Sequence, residues 1–342
     1  MRSKSFQDQK SSPLFKKDNT ITNYYQNIVQ ELDLGELTHI ETIQTLWSGY
    51  GELVRLYCTK QNIIVKHIKL PKLSNHPKGW NTNLSHKRKL HSYQVEVKWY
   101  ENFTKETNDR FRIPQGLKCF GSQNEWLIVM EDLATVGLKY TTEDASKNHL
   151  RSSLSWLANF HAYYMGKRSW FLWDIGTYWH LDTRPDELNA LEDMELKDIA
   201  KKIDTILNST RYQTIVHGDA KLANFCFNED GSQCAAVDFQ YVGHGCGIKD
   251  VIYFMSSSIE PEDCKKMQGW ILDTYFEALK EAMEYYRSPF LFKDVEKEYK
   301  EMFYFAWADF LRFLKGWSSE HYKINQYSED IKKEALVLLN KK

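Results

Sequence analysis

Hydrophobic and polar positions divide the chain into two textures. From about residue 36 to 70 the apolar residues come in short, β-branched runs. Leu53-Val54-Arg55-Leu56-Tyr57-Cys58 and Asn62-Ile63-Ile64-Val65-Lys66 read as strands about the polar turn Thr59-Lys60-Gln61, and Pro71 closes the second. A polar connection over 72–88 follows. Leu90, Tyr93, Val97, Tyr100 and Thr104 then recur at three- and four-residue steps, which predicts a helix over 90–104. Leu117–Phe120 and Trp126–Met130 read as a strand pair turned at Gly121-Ser122-Gln123-Asn124.

After Met130 helical periods dominate. Leu150, Leu154, Leu157 and His161 share one face of a predicted helix over 143–165, with further helices over 190–207 and 294–316. Three short apolar strands interrupt them: Thr214-Ile215-Val216, Phe225-Cys226-Phe227 and Ala235-Ala236-Val237. Pro261, followed by Glu262 and Asp263, suits a first helical turn. The expected class is therefore α+β: a small sheet-rich domain with one long helix, then a larger, mainly helical one. We divide the chain into a polar tail (1–20), an N-terminal lobe (21–132) and a C-terminal lobe (133–342).

Composition narrows the possible functions. The 342 residues carry 45 basic and 46 acidic side chains, so no global field recruits nucleic acid or an anionic membrane. The run His86-Lys87-Arg88-Lys89 is a local exception and reads as a solvated helix end. No stretch approaches the roughly 20 apolar residues of a membrane span, and the first residues lack the apolar core of a secretory signal. Six scattered cysteines without a C-x-x-C pair point to free thiols in a reducing cytoplasm. An aromatic share of 14% implies rings that pack together or line a pocket. Nothing indicates an oligomeric state.

The chemistry concentrates in His217-Gly218-Asp219-Ala220-Lys221-Leu222-Ala223-Asn224, followed after a hairpin by Val237-Asp238-Phe239-Gln240. Each of these residue types alone is as readily a turn former. Together they supply what phosphoryl transfer from ATP requires. Asp219 is a carboxylate able to orient a hydroxyl and take its proton. Asn224 and Asp238 are oxygen donors for Mg²⁺, which accepts only such ligands in tight geometry. The D-x-x-x-x-N spacing is that of protein kinases, with D-F-Q in place of D-F-G.

These motifs resemble the aminoglycoside phosphotransferase and choline kinase superfamily, above all its ecdysteroid-kinase-like branch. The likeness spans roughly residues 45–315 and includes Gly247-Ile248-Lys249-Asp250-Val251-Ile252-Tyr253-Phe254. It implies a bilobal protein-kinase-like fold, ATP and Mg²⁺ as cofactors, and a structural Asp250 that braces the catalytic loop. It implies also a hinge over Leu127–Leu133, where backbone groups of Glu131 and Leu133 read adenine. The remaining kinase parts are then identifiable. Gly49 and Gly51, in Trp47-Ser48-Gly49-Tyr50-Gly51-Glu52, are candidates for a phosphate-covering turn, with Val54 where a third glycine would stand. Lys66 is favoured over Lys69 for the α/β-phosphates; three residues apart, the two point to opposite faces of a strand. Glu96 is the anionic partner expected for that lysine.

His161, in Leu157-Ala158-Asn159-Phe160-His161-Ala162, is expected to be a packed core histidine. Trp307, Asp309 and Arg312 are either an internal ion pair beside an aromatic ring or part of an acceptor site. The expected activity is ATP-dependent phosphorylation of a small alcohol (choline-, aminoglycoside- or steroid-like). The alternative is a catalytically inactive nucleotide-binding module of the same fold. A protein kinase is disfavoured, since no D-F-G or A-P-E segment brackets an activation loop.

Overall fold

The computed structural model describes residues 19–46, 49–69, 83–105, 108–121 and 125–341. Most of the expected polar tail, Trp47 and Ser48, residues 70–82 with the first part of the expected 72–88 connection, Glu106 and Thr107, and Ser122–Asn124 lie outside the described residues.

The chain opens with α1 (Asn19–Glu31), β1 (Leu37–Thr45), β2 (Gly51–Cys58) and β3 (Ile63–Lys69). Next come α2 (Asn83–Asn102), β4 (Gly116–Gly121) and β5 (Glu125–Glu131). The five strands form one antiparallel sheet in the order β1-β2-β3-β5-β4. Strand β3 is central and is covered on both faces. Ile63 and Val65 pack with Tyr25, Ile28 and Val29 of α1. Ile64 and Ile68, which alternate with them, join the main core with Tyr93 and Val97 of α2.

The second lobe contains α3 (Lys147–Tyr164), α4 (Pro185–Ala190), α5 (Met194–Asn208) and β6 (Gln213–Val216). Then follow β7 (Phe225–Phe227), β8 (Cys234–Ala236), β9 (Gly243–Cys246) and α6 (Ile248–Ser258). The chain closes with α7 (Cys264–Tyr285), α8 (Phe292–Trp317) and α9 (Gln326–Leu339). Helix α3 packs on α7, while α4, α5, α6 and α9 surround α8. Two small ribbons, β6–β9 and β7–β8, hold the loops between them in place. The architecture is α+β and bilobal, an antiparallel sheet followed by a mainly helical lobe, as in protein kinases.

Aromatic packing joins the lobes. Trp99 of α2 stacks on Phe239 at 4.7 Å and on Phe103 at 4.8 Å, and Trp156 stacks on Phe160 at 4.8 Å. Phe239 belongs to the D-F-Q motif, so this stack fixes a helix of the first lobe against a motif of the second.

Candidate active site

Lys66 points from β3 into the space between sheet and α2, opposite Ile128 of β5. Its Nζ donates to Glu96 Oε2 at 2.7 Å and Oε1 at 2.8 Å, and to Asp238 Oδ1 at 2.8 Å. Burial works against charge on Lys66, but Asp238 and Glu96 outweigh it and keep the ammonium protonated. Burial pushes Glu96 up to about 7 despite the lysine beside it. Lys69 points away, largely exposed, 3.9 Å from Glu125.

The loop after β6 is shaped by Gly218 and Asp250. Gly218 adopts φ +79, and a Cβ there would lie 2.8 Å from Thr177 N and overlap Tyr241 O. Steric exclusion thus explains why glycine occupies the position between His217 and Asp219. Asp250, wholly buried near the start of α6, accepts from His217 N at 2.6 Å and Gly218 N at 2.9 Å. Its Oδ2 also meets His161 Nε2 at 3.1 Å, and His161 Nδ1 meets Tyr275 Oη at 2.8 Å. His161 is accordingly a core residue. His217 spans the two motifs: Nε2 reaches Val237 O at 3.0 Å and Nδ1 accepts from Asp219 N at 3.3 Å.

Asn224 donates from Nδ2 to Asp219 O at 2.8 Å and to Asp219 Oδ2 at 3.1 Å. The Asn224 backbone carbonyl accepts from Val237 N at 2.9 Å, which sets the residue beside Asp238. Asp238 stands at φ +68, an unusual conformation for a non-glycine residue. Gln240 donates to Asp238 Oδ1 at 2.7 Å and accepts from Lys89 Nζ at 3.0 Å, which ties the motif to α2.

The two aspartates are driven in opposite directions. Burial lifts the Asp219 carboxyl above its ordinary range, with Lys221, 3.6 Å away, drawing it partly back. Burial acts the same way on Asp238, but Lys66, Lys221 and Lys89 outweigh it and hold that carboxyl well below the usual range. One site with a proton-accepting acid and a permanently charged one suits acid–base work beside a cation. The Asn224 amide and the Asp238 carboxylate form an all-oxygen donor pair, the chemistry Mg²⁺ requires. No group of three or more His, Cys, Asp and Glu side chains able to hold a metal ion by themselves occurs among the described residues.

All five residues, Lys66, Glu96, Asp219, Asn224 and Asp238, line one interlobe cleft of about 1480 Å³. Glu131 and Leu133 line its hinge end with Met130. There the Glu131 carboxylate pairs with Arg112, and Asp132 accepts from Arg55 Nε at 2.8 Å. The glycine turn differs from expectation. Gly49 and Gly51 do not line the cleft, whereas Leu46 and Tyr50 do. At φ +125, a Cβ on Gly51 would overlap His67 O, so this glycine lets β2 approach β3.

The expected acceptor residues require correction. Trp307, Asp309 and Arg312 are buried inside α8 and none lines the cleft. Asp309 Oδ1 takes Arg312 Nε at 3.0 Å, Arg312 Nη2 donates to Trp179 O at 2.8 Å, and Trp307 Nε1 donates to Ser328 Oγ at 3.1 Å. The trio forms an internal network in which Arg312 Nη1 alone has no hydrogen-bond partner. Lys89, Lys221 and Gln240, by contrast, face the cleft without having been singled out. Lys221 lay within the loop motif itself, two residues after Asp219.

Residues 177–288 match the ecdysteroid kinase-like family model, and that segment holds the 217–224 loop, Asp238 and Asp250. The resemblance read from those motifs is borne out. Among solved structures, the chain is similar to a Plasmodium vivax ethanolamine kinase, with 12% identity, 95% of this chain and 91% of that one covered, and a TM-score of 0.46. It is similar also to a Streptomyces rimosus aminoglycoside phosphotransferase in complex with ADP and streptomycin (12% identity, 82% and 96% covered, TM-score 0.42). A third similar structure is an aminoglycoside-3'-phosphotransferase of type VIII (14% identity, 76% and 93% covered, TM-score 0.43). No curated protein matches the chain.

Proposed function

We propose that the protein is an ATP-dependent kinase that transfers the γ-phosphoryl group of ATP to a hydroxyl of a small-molecule alcohol. The observation that carries this reading is the convergence of Asp219, Asn224, Asp238 and the Lys66–Glu96 pair on one cleft. Adenine lies against the hinge at Met130–Leu133. Lys66, fixed by Glu96, holds the α/β-phosphates, and Lys221 stands where charge develops on the transferred group. Mg²⁺, when bound through Asn224 and Asp238, neutralises phosphate oxygens and aligns them.

Asp219 accepts a hydrogen bond from the acceptor hydroxyl. The hydroxyl oxygen forms a new bond to the γ-phosphorus as the bond to the β,γ-bridging oxygen breaks. The hydroxyl proton passes to Asp219, and ADP departs with the bridging oxygen. The raised Asp219 carboxyl suits that proton transfer near neutrality. Six cysteines without disulfide partners accord with a cytoplasmic setting.

Asp219→Asn tests the assignment. It should lower kcat by roughly 10²–10⁴ while stabilisation by ATP·Mg²⁺ in a thermal-shift assay persists. Wild-type turnover by this variant would show that Asp219 is not the base.

A further inference from the structure

The kinase reading leaves the acceptor open, and the charge pattern of the cleft narrows it. Beyond Asp219, away from the hinge, the cleft wall carries Tyr178, Tyr241, Tyr253, Phe313 and Trp317. The rings brace one another: Tyr178 meets Tyr253 at 5.3 Å and Phe313 at 5.4 Å edge-on, and Phe313 stacks on Trp317 at 5.9 Å. Such a wall offers a flat apolar bed.

Two guanidinium groups reach this wall from different lobes. Arg88 of α2 donates from Nη1 to Thr183 O at 2.7 Å and from Nη2 to Ser85 Oγ at 3.3 Å. Arg184, at the start of α4, is only 6% exposed. It lies over the Phe313 ring at 5.0 Å, donates from Nε to Tyr178 O at 2.6 Å, and from Nη1 to Glu187 Oε1 at 3.0 Å. The two groups sense each other: burial and then Arg184 lower the pKa of Arg88. Asp186 and Glu187 behind them offset part of this charge, but neither lines the cleft.

The acids that do line the cleft are engaged elsewhere. Lys66 holds Glu96 and Asp238, Arg55 holds Glu41 and Asp132, and Arg112 holds Glu131. Glu143 follows the hinge. Residues 70–82, between β3 and α2, contain no Asp or Glu. At the acceptor end that leaves Asp219, the base itself, with Arg88 and Arg184. A cationic acceptor would meet like charge there with no carboxylate to receive it, a strong discrimination against aminoglycoside-like or choline-like alcohols.

Building on the kinase reading, we propose that the acceptor is an anionic alcohol. Its apolar body lies on Tyr178, Tyr241 and Phe313, and its carboxylate, sulfate or phosphate group is received by Arg88 and Arg184. Planar guanidinium donors suit all three anions. The triphosphate of ATP has its own cations in Lys66, Lys89 and Lys221.

The test uses the full chain with ATP, Mg²⁺ and a cell metabolite extract split by ion exchange into cationic, neutral and anionic pools. Compounds that gain a phosphate are identified by mass spectrometry. The product should arise in the anionic pool. Arg184→Gln should then lower kcat/KM for that compound by about 10- to 100-fold, with the KM for ATP unchanged. Arg88→Gln, at a half-buried position, gives a second variant should Arg184→Gln fold poorly, and Arg184→Lys should restore part of the loss. A product from the cationic or neutral pool would overturn the acceptor assignment and leave the kinase reading standing. A raised KM for ATP in both glutamine variants would assign the guanidiniums to the triphosphate and overturn it too. No product in any pool, with ATP·Mg²⁺ binding intact, would overturn both readings.

Discussion

Alanine at position 218 would place a Cβ 2.8 Å from Thr177 N and in overlap with Tyr241 O, on a backbone already at φ +79. The left-handed conformation disfavours an L-residue by roughly 1–2 kcal/mol. Relief of the overlap requires a shift on the order of 1 Å, and overpacking of this kind costs about 1–3 kcal/mol. The loop cannot drift freely, because Asp250 holds His217 N at 2.6 Å and Gly218 N at 2.9 Å. Strain therefore passes to the neighbouring Asp219, and a misplacement of ~1 Å at a reacting group lowers the rate about 10²-fold. Gly218→Ala should lose roughly 10² in kcat and about 2–5 kcal/mol of stability. The KM for ATP should change less than kcat, since Lys66 and the hinge lie outside the loop and only Lys221 and Asn224 lie within it. Steady-state ADP release gives kcat and KM, and denaturant unfolding gives the stability. A Gly218→Ala enzyme with wild-type kcat and unchanged stability would refute the steric account of the motif.

Burial pulls the Lys89 ammonium down to about 8, so its charge disappears as pH rises through that value. The kcat/KM for ATP should consequently fall above about pH 8, and Lys89→Gln should abolish that alkaline limb; a pH profile flat through this region would separate Lys89 from the phosphates. Asp309→Asn should destabilise the fold by roughly 3–5 kcal/mol, because it strips a buried guanidinium of its charge partner. Denaturant unfolding measures this, and a raised acceptor KM at unchanged stability would return Asp309 to the substrate site.

The 217–224 loop was legible because the proposed phosphoryl transfer restricts residue types at fixed spacing. Strand alternation put Lys66 and Lys69 on opposite faces, and the apolar run before Lys66 pointed to the inner one: Lys66 is buried against Glu96, Lys69 exposed beside Glu125. Other features were hidden for physical reasons. Strand β9, Gly243-His244-Gly245-Cys246, has none of the β-branched residues that announce a strand. It forms by pairing with β6, and its first residue is glycine because Trp173 and Gly176 press so close that a Cβ on Gly243 would lie 2.9 Å from Gly176 Cα. Helix α2 begins at Asn83 rather than near residue 90, since its first turns carry polar side chains that face the cleft instead of a core. Lys89, Tyr93, Glu96 and Tyr100 recur at helical steps and all line that cleft, but a search for hydrophobic periods registers only the two tyrosines. The basic run at 86–89 was read as solvated for the same reason. Trp307, Asp309 and Arg312 misled in the opposite sense. The stretch of α8 from Trp307 to Arg312 is enclosed by its neighbours, so an acid beside a tryptophan there neutralises an internal arginine and meets no ligand.

From Asp238 to Asp250 the chain passes directly through Phe239, Gln240 and Tyr241 into β9, which pairs at once with β6. Residues 239–249 contain no serine or threonine, and their one tyrosine, Tyr241, stands in the cleft wall. That stretch has no slack to loosen and retighten and no exposed hydroxyl to modify. On the proposed kinase reading, the groups at 219, 224 and 238 are set by the folding of the lobe itself, with no serine or threonine in the connecting stretch through which to reset them.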